Sequence, residues 1–329
     1  MSGYLVGPEL PQGRGELSAG VVGALGGGAA LPGEGVVSGA DPYGDDLQLA
    51  LYACYELHYR GFRGVDDGWE WDPGLLGLRG AMERRFLRAL RSDATKHDRV
   101  DAALEGLLVE PVDGSGVSSF LKDEGQLWQL REYAAQRSLY QLKEADPHAW
   151  VIPRLVGRAK AALVAVEFDE FGGGRAERVH AELFAGLMED LGLDPAYGRY
   201  LDAGSAEALA TVNLMSLLGL HRALRGALVG QFAALEVSSS PGSRRMAQAL
   251  ERAGAGPAAV LFYTEHVEAD AVHEQVVRRD VIGGLLEDEP ALEADVAFGI
   301  DATGFLEDRL AERLLGAWRE GASSLRVGL

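Results

Sequence analysis

The segment from Tyr263 to His273 places reactive side chains at a spacing that an α-helix turns into one face. Within Tyr-Thr-Glu-His-Val-Glu-Ala-Asp-Ala-Val-His, the residues His266, Asp270 and His273 stand at positions i, i+4 and i+7. A helix with 3.6 residues per turn projects these three side chains from one stripe. Two imidazoles and a carboxylate on such a stripe suit a divalent transition metal. The alternative for this segment alone is a solvated polar face with several glutamates around it.

A matching set of candidate ligands lies upstream, on other predicted helices. Glu144 stands on the last turn of one helix and Glu236 on another, and Glu177-x-x-His180 repeats the spacing of Asp270-x-x-His273. One carboxylate from each of two helices and a carboxylate-x-x-His pair from each of two others form the ligand plan of di-iron or di-manganese helical bundles. The sequence therefore predicts a metal centre between helices.

Glu236 carries particular weight because its surroundings are apolar. It follows Ala-Leu-Val-Gly-Gln-Phe-Ala-Ala-Leu, where an unpaired carboxylate would cost several kcal/mol. A bound metal ion would offset that cost. A protonated or salt-bridged glutamate is the structural alternative.

Composition excludes several other classes of function. The net charge is −19, from 50 acidic against 31 basic residues, which argues against nucleic-acid and anionic-membrane partners because Lys and Arg bind both. The single Cys54 excludes an intramolecular disulfide and a Cys-based zinc or iron–sulfur site. No apolar run approaches the roughly 20 residues of a membrane span, and the N-terminus does not resemble a signal peptide. We therefore expect a cytoplasmic location.

The chain divides into three predicted regions. Residues 1–43 are rich in Gly without sustained periodicity, which predicts a flexible leader. Residues 44–112 form an N-terminal helical extension, and residues 113–329 form the metal-binding bundle. No segment shows strand alternation with hairpin signals, so we predict an all-α fold. The predicted helices cover about 45–59, 75–92, 95–109, 118–145, 152–170, 175–191, 205–236, 243–254, the segment with His266 and His273, 289–300 and 304–320.

Motifs in the second half of the chain resemble one family. They are Ser138-Leu-Tyr-Gln-Leu-Lys-Glu-Ala-Asp-Pro-His-Ala-Trp150, Ile152-Pro-Arg-Leu155, Asp169-Glu-Phe-Gly-Gly-Gly174, Asn213-Leu-Met-Ser-Leu-Leu-Gly-Leu-His-Arg222 and Glu265-His-Val-Glu-Ala-Asp-Ala-Val-His273. They are similar to the heme-oxygenase-like di-iron oxidases and oxygenases, a group of iron-containing redox enzymes. The likeness runs from about residue 138 to the C-terminus. It implies a heme-oxygenase-like helical bundle, here with extra N-terminal helices, that binds two irons rather than haem.

The resemblance changes one candidate ligand. In members that hydroxylate nitrogen, the glutamate of Asp-Glu-(Tyr/Phe)-Gly-Gly-Gly is a ligand, which corresponds to Glu170, and Glu177 then faces solvent. Ten residues of straight helix would separate Glu170 from His180 by about 80° around the axis, but the break at Gly172–Gly174 allows a distortion. The implied ligand set is Glu144, Glu170, His180, Glu236, His266, Asp270 and His273.

The same resemblance implies an enzyme that uses two Fe²⁺ ions and O2 as co-substrate. The expected reaction is N-oxygenation of a small amine, guanidine or amino acid in natural-product metabolism, with an external electron donor. Arg222 and Arg225 are candidates to clamp a substrate carboxylate, and their alternative role is a surface or structural ion pair. Oxidative C–C cleavage or desaturation by the same cluster, and a non-catalytic metal-binding protein, are the rival functions. Exposed apolar faces on the helices of residues 44–110 also favour a homodimer.

Overall fold

The computed structural model describes residues 7–108 and 116–329, apart from the side chains of Leu108 and of residues 268–272. All regular elements in these ranges are helical, which confirms the predicted all-α class. None of the described helices is both long enough and apolar enough to cross a membrane.

The structure describes fifteen α-helices. They are α1 (Glu16–Leu25), α2 (Glu34–Gly39), α3 (Asp45–Glu56), α4 (Pro73–Asp93), α5 (Val100–Leu108), α6 (Val117–Asp123), α7 (Leu127–Gln141), α8 (Asp146–Ala149), α9 (Gly157–Glu170), α10 (His180–Asp190), α11 (Ala206–Leu220), α12 (Arg225–Arg252), α13 (Pro257–Val276), α14 (Gly283–Asp288) and α15 (Glu293–Arg319). Short 3₁₀ turns lie at Asp67–Trp71, Ile152–Arg154, Gly172–Gly174, Ala176–Arg178, Arg222–Leu224 and Pro290–Leu292, and a π-helical segment at Val277–Ile282 joins α13 to α14.

The long helix α12 lies at the centre of the bundle and packs against α13 and α15. Its crossing with α15 depends on two glycines. A Cβ atom on Gly230 would overlap the carbonyl of Val296, and a Cβ atom on Gly299 would overlap the carbonyl of Ala227. The two backbones are therefore in direct contact, which fixes the crossing point beside the segment that carries Glu236.

The Gly-rich N-terminal segment differs from the sequence-based expectation. In α1, Leu17 and Val21 are fully buried, and the carboxylate of Asp46 at the start of α3 accepts hydrogen bonds from the amides of Leu17 and Ser18 at 3.0 and 2.7 Å. The buried apolar face of α1, and the hydrogen bonds that Asp46 of α3 accepts from its first turn, therefore hold in place residues that composition alone predicts to be flexible. The expectation of a flexible leader does not hold for residues 16–39.

Two predicted helix boundaries are also absent. The helix α12 continues through Pro241 to Arg252, although proline removes one helical hydrogen bond. Ser238 hydrogen-bonds the carbonyl of Ala234 at 2.6 Å, and packing against α6 and α13 supports both halves. Likewise, α15 is one helix of 27 residues where two were predicted.

Candidate metal centre

Six of the implied ligands approach one another inside the bundle. Glu144 lies in the turn after α7, Glu170 ends α9, His180 begins α10, Glu236 lies within α12, and His266 and His273 lie on α13. All three histidines and Glu170 are at most 8% exposed. Asp270 belongs to α13, but its side chain lies outside the described residues.

One cluster of ligand atoms consists of Glu144, Glu170, His180 and His266. His180 Nδ1 lies 2.7 Å from Glu170 Oε2 and 4.0 Å from Glu144 Oε2. His266 Nε2 lies 3.6 Å from Glu144 Oε1. Each residue offers an oxygen or nitrogen within 4.8 Å of those of the others, which is the convergence that a metal ion requires.

A second cluster consists of Glu170, Glu236 and His273. His273 Nδ1 lies 3.1 Å from Glu236 Oε2 and 3.7 Å from Glu170 Oε1. Glu170 therefore belongs to both clusters, with Oε2 directed to His180 and Oε1 to His273. This is the arrangement of a carboxylate that bridges two metal ions.

Asp169 is a neighbour of the second cluster that the sequence reasoning did not select. Its Oδ2 lies 3.1 Å from His273 Nε2, although its side chain is 58% exposed. Both ring nitrogens of His273 thus face carboxylates and both donate hydrogen bonds. The sequence feature that indicates Asp169 is its position directly before Glu170 in the Asp-Glu-Phe-Gly-Gly-Gly motif.

The three glycines after α9 explain how Glu170 reaches His180. Gly172, Gly173 and Gly174 have φ angles of 74°, 61° and 80°, a region that glycine adopts without strain. The helix is interrupted there and α10 begins anew at His180, so the angular separation expected of a straight helix does not apply. Glu177 is exposed on the intervening turn, which leaves Glu170 as the glutamate at the cluster.

Charge and burial determine the proton affinities of these groups in the metal-free protein. Burial raises the pKa of Glu170, but contact with His180 and the charge of the three histidines outweigh it and hold the pKa below the usual carboxyl value. Burial lowers the pKa of His273, but Glu236 and Asp169 overcome this and raise it to about 9. Protonated imidazoles therefore neutralise the carboxylates until cations replace the protons.

Glu167, one turn before Glu170, has a different environment. It is 2% exposed, and neither of its carboxylate oxygens has a hydrogen-bond partner among the described residues. Burial, together with the negative charge of Glu170 and Glu236, raises its pKa to about 9. It is a protonated carboxylic acid beside the two clusters at neutral pH.

The donor set fits iron. It consists of carboxylates and imidazoles without thiolate, which suits redox-active iron or manganese. His266 donates its Nδ1 hydrogen to the carbonyl of Phe262 at 2.7 Å, which orients Nε2 towards Glu144 as in many metal-binding histidines. Glu144 Oε2 is buried without a hydrogen-bond partner in the described part of the chain.

A cavity of about 410 Å³ opens beside the first cluster, with Glu144, Glu170, Glu236 and His266 in its wall. Besides several serines, the other polar residues of the wall are Tyr133, Arg137, Tyr140, Gln141, His148, Thr303, Glu307 and Asp308. The sequence reasoning missed Arg137, which lies on α7 seven residues before Glu144. Arg137 donates to both oxygens of Glu307, at 2.8 and 2.5 Å.

The two arginines predicted as a substrate clamp lie elsewhere. Arg225 forms an ion pair with Glu289, and Arg222 is exposed on a 3₁₀ turn. Neither lines the cavity. These positions do not support a role for Arg222 and Arg225 in binding a substrate carboxylate. They agree with the alternative role of Arg225 in an ion pair.

Comparison with known proteins identifies the family. The sequence model of the "iron-containing redox enzyme" family matches residues 131–307, which include every candidate ligand. The chain belongs to this family. It is therefore an iron-containing oxidoreductase of the heme-oxygenase-like group, as the resemblance implied.

A characterised relative lies in the same family. A nitrosourea synthase from Streptomyces achromogenes subsp. streptozoticus is 28% identical over 162 residues, which cover 48% of this chain and 34% of the synthase. The chain thus aligns with about a third of the length of this relative.

Proposed function

We propose that this iron-containing redox enzyme is a di-iron oxygenase that uses O2 to oxygenate a nitrogen atom of a small amine, guanidine or amino acid. The observation that carries the proposal is the position of Glu170 between two clusters of ligand atoms. A single metal site would need only one of these clusters. The overlap at Glu170 is the arrangement expected of a carboxylate-bridged pair.

The described ligands divide between two ions. Glu144, His180 and His266 would hold one Fe²⁺, Glu236 and His273 would hold the other, and Glu170 would bridge them. Asp270 stays a predicted ligand of the same helix. When bound, the two irons supply the electrons and the coordination positions for O2 activation.

The chain's own residues enclose and orient the substrate. The cavity volume of about 410 Å³ is in the range of small-molecule sites. Of the Arg137 and Glu307 side chains, 25% and 29% are exposed, and both line the cavity. This pair offers a guanidinium to a substrate carboxylate and a carboxylate to a substrate ammonium. Arg137, rather than Arg222 or Arg225, is therefore the proposed ligand of a substrate carboxylate.

A nitrogen substrate is supported by the relative and by charge. A nitrosourea contains a nitrogen–oxygen bond, and the relative is named for making one. In this chain the cavity wall also carries Asp308, an acidic residue outside both the metal clusters and the Arg137–Glu307 pair, which favours a cationic ligand. The external electron donor and the homodimer stay predictions.

The test begins with anaerobic Fe²⁺ loading and metal counting, followed by reaction with isotopically labelled O2 and candidate amines. Two irons per chain and a product that gains labelled oxygen on nitrogen support the proposal. Loss of carbon or of two hydrogens would indicate oxidative cleavage or desaturation instead. Two irons held without any product would favour the non-catalytic metal-binding protein.

A further inference from the structure

The turn that carries Glu144 is held in an unfavourable backbone conformation. Ala145, the next residue, has a φ angle of 73° and is the only non-glycine residue at positive φ among those that the structure describes. A side chain in this region is strained. Such a conformation persists only where surrounding contacts enforce it.

A buried ion pair supplies one of these contacts. Lys143, on the other side of Glu144, donates to Glu56 Oε2 at 2.9 Å, and the two side chains are 1% and 0% exposed. The ammonium also lies 4.7 Å from the ring centre of Tyr52 and 4.4 Å from that of Tyr59. Lys143 therefore has a single well-defined position next to the ligand.

Residues outside α3 hold the same turn at a second point and fix the position of Glu56. Arg60, just after α3, donates to the carbonyl of Leu142 at 3.1 Å. Tyr197 donates its hydroxyl to Glu56 Oε1 at 2.7 Å, which fixes the carboxylate that Lys143 meets. Leu142 and Lys143, the two residues before Glu144, are thus both held by α3 and the turn that follows it.

Glu56 and Arg60 lie outside residues 131–307, the part that matches the family. Buried ion pairs contribute little net stability compared with apolar residues of the same volume, and their best-attested use is to specify a conformation. Stability alone therefore does not account for this pair at this place.

We propose that the Glu56–Lys143 pair is a positioning device for the metal centre. It holds the strained turn so that Glu144 faces His180 and His266, and it makes α3 a part of the iron site that the family's matched segment does not contain. The inference rests on the proposed function because it takes Glu144 as a metal ligand.

The test compares two double variants that each replace a buried ion pair by methionines. E56M/K143M removes the proposed device, and R79M/E83M removes a pair within α4 whose side chains are 13% and 7% exposed. We measure anaerobic Fe²⁺ and Co²⁺ binding by equilibrium dialysis, the Co²⁺ absorption spectrum, and the Tm of the metal-free proteins. We expect E56M/K143M to bind one metal ion normally and the other at least about 10-fold more weakly, with an altered spectrum, while R79M/E83M binds both as the wild type does.

A glycine at position 145 distinguishes positioning of Glu144 from a general effect on the stability of the fold. Glycine adopts a φ angle of 73° without strain, so adding Ala145→Gly to E56M/K143M should move the weakened affinity back towards that of the wild type. If E56M/K143M does not fold, Arg60→Met is the test. It keeps the two residues of the ion pair but removes the hydrogen bond to Leu142 and the guanidinium contact, at 4.0 Å, with the ring of Tyr197, which holds Glu56. We expect this variant to weaken the same metal site alone, by a few fold.

Each result decides the question. The inference is overturned if E56M/K143M, or its substitute Arg60→Met, binds metal at both sites as tightly as the wild type does. It is also overturned if both sites lose affinity equally and Ala145→Gly does not restore it. If the wild-type protein binds no iron, the proposed function fails first. If the wild type binds two irons and the variants do as well, only the positioning role is lost.

Discussion

Glu170 is the residue on which the two halves of the metal centre depend, because each of its oxygens faces a different cluster. We therefore expect Glu170→Ala to weaken both metal sites, by about 10-fold or more each. Glu177→Ala is the matched control, since Glu177 is exposed seven residues away. Anaerobic iron titration measures both variants. A loss confined to one site would contradict a bridging Glu170.

Glu167 makes the free energy of unfolding of the metal-free protein depend on pH. Its pKa is about 9 in the folded protein against an ordinary value of 4.5, so the folded state binds more protons between these values. The free energy of unfolding must then decrease as the pH rises through this window. His273 acts in the same direction, because its pKa is also raised to about 9 and its stabilising contribution is lost as the pH rises from about 6.5.

Glu167→Gln should remove the Glu167 part of this dependence, because glutamine does not ionise. Urea unfolding of the metal-free protein at pH 5, 7 and 9 measures it. We expect the variant to be more stable than the wild type at pH 9 and to keep the smaller slope above pH 6.5 that His273 and His180, whose pKa values are both raised, cause. Parallel pH profiles for the two proteins would show that Glu167 ionises normally.

Most residues of the candidate metal centre could be predicted from the sequence, whereas the polar residues of the cavity could not. Imidazoles and carboxylates at i, i+4 and i+7 are rare enough to single out His266 and His273. By contrast, Arg137 and Glu307 are common residue types on amphipathic helices, and only the packing of α7 against α15 shows that they meet. Arg222 and Arg225 had the expected chemistry, but the direction of a side chain depends on tertiary contacts.

At the scale of single elements, Arg137 on α7 and Glu144 in the turn after α7 line the same cavity. A substrate carboxylate bound by the Arg137 guanidinium would therefore lie in the cavity that also contains the ligand Glu144. We expect Arg137→Met to raise KM about 10-fold or more while iron content stays unchanged. Arg225→Met is the control because its ion pair with Glu289 lies off the cavity. Lost iron in Arg137→Met would instead indicate a structural role.

The glycine turn between α9 and α10 permits a matched pair of substitutions. Gly172 and Gly173 both have positive φ angles, so alanine strains either position by about 1–2 kcal/mol. Only at Gly172 would the new Cβ atom lie 2.6 Å from the backbone nitrogen of Val179, directly before His180; at Gly173 it would meet only Phe168, at 3.8 Å. Gly172→Ala should therefore weaken the metal site of His180, whereas Gly173→Ala should lower the Tm slightly and leave metal binding intact. Equal metal affinities in both variants would contradict this assignment.

Element boundaries show where sequence patterns are insufficient. The spacing of apolar residues located most of the helices, but the predicted end at 236 and start at 243 both lie inside α12, which continues through Pro241. Local propensity favours a break at this proline by about 3 kcal/mol or more. Packing of both halves against neighbouring helices outweighs it, and no local pattern records that packing.

At the scale of the whole molecule, the N-terminal helices and the matched family segment form one hydrophobic core. Residues from α1, α3 and α4 belong to the same cluster of buried side chains as those from α12 and α15. Composition predicted a separate leader for the first 43 residues because glycine content is high there. The ordered position of α1 depends on Asp46, a contact across almost 30 residues that composition does not reveal.

Removal of metal should destabilise the whole bundle, because helices α9, α10, α12 and α13 and the turn after α7 all contribute to the centre. A ligand that binds only the folded state at about 100 times its Kd adds about 2.7 kcal/mol, which corresponds to several degrees in Tm for a chain of this size. The difference in Tm between iron-loaded and metal-free protein should widen from pH 6 to pH 9. The reason is that the proton on His273, a proposed ligand, stabilises the metal-free protein at low pH, competes with the metal ion and is lost at high pH. Anaerobic thermal unfolding with and without chelator measures the difference, and a His180→Ala/His273→Ala variant should show almost none. A difference that narrows as the pH rises would contradict proton-for-metal exchange at this centre.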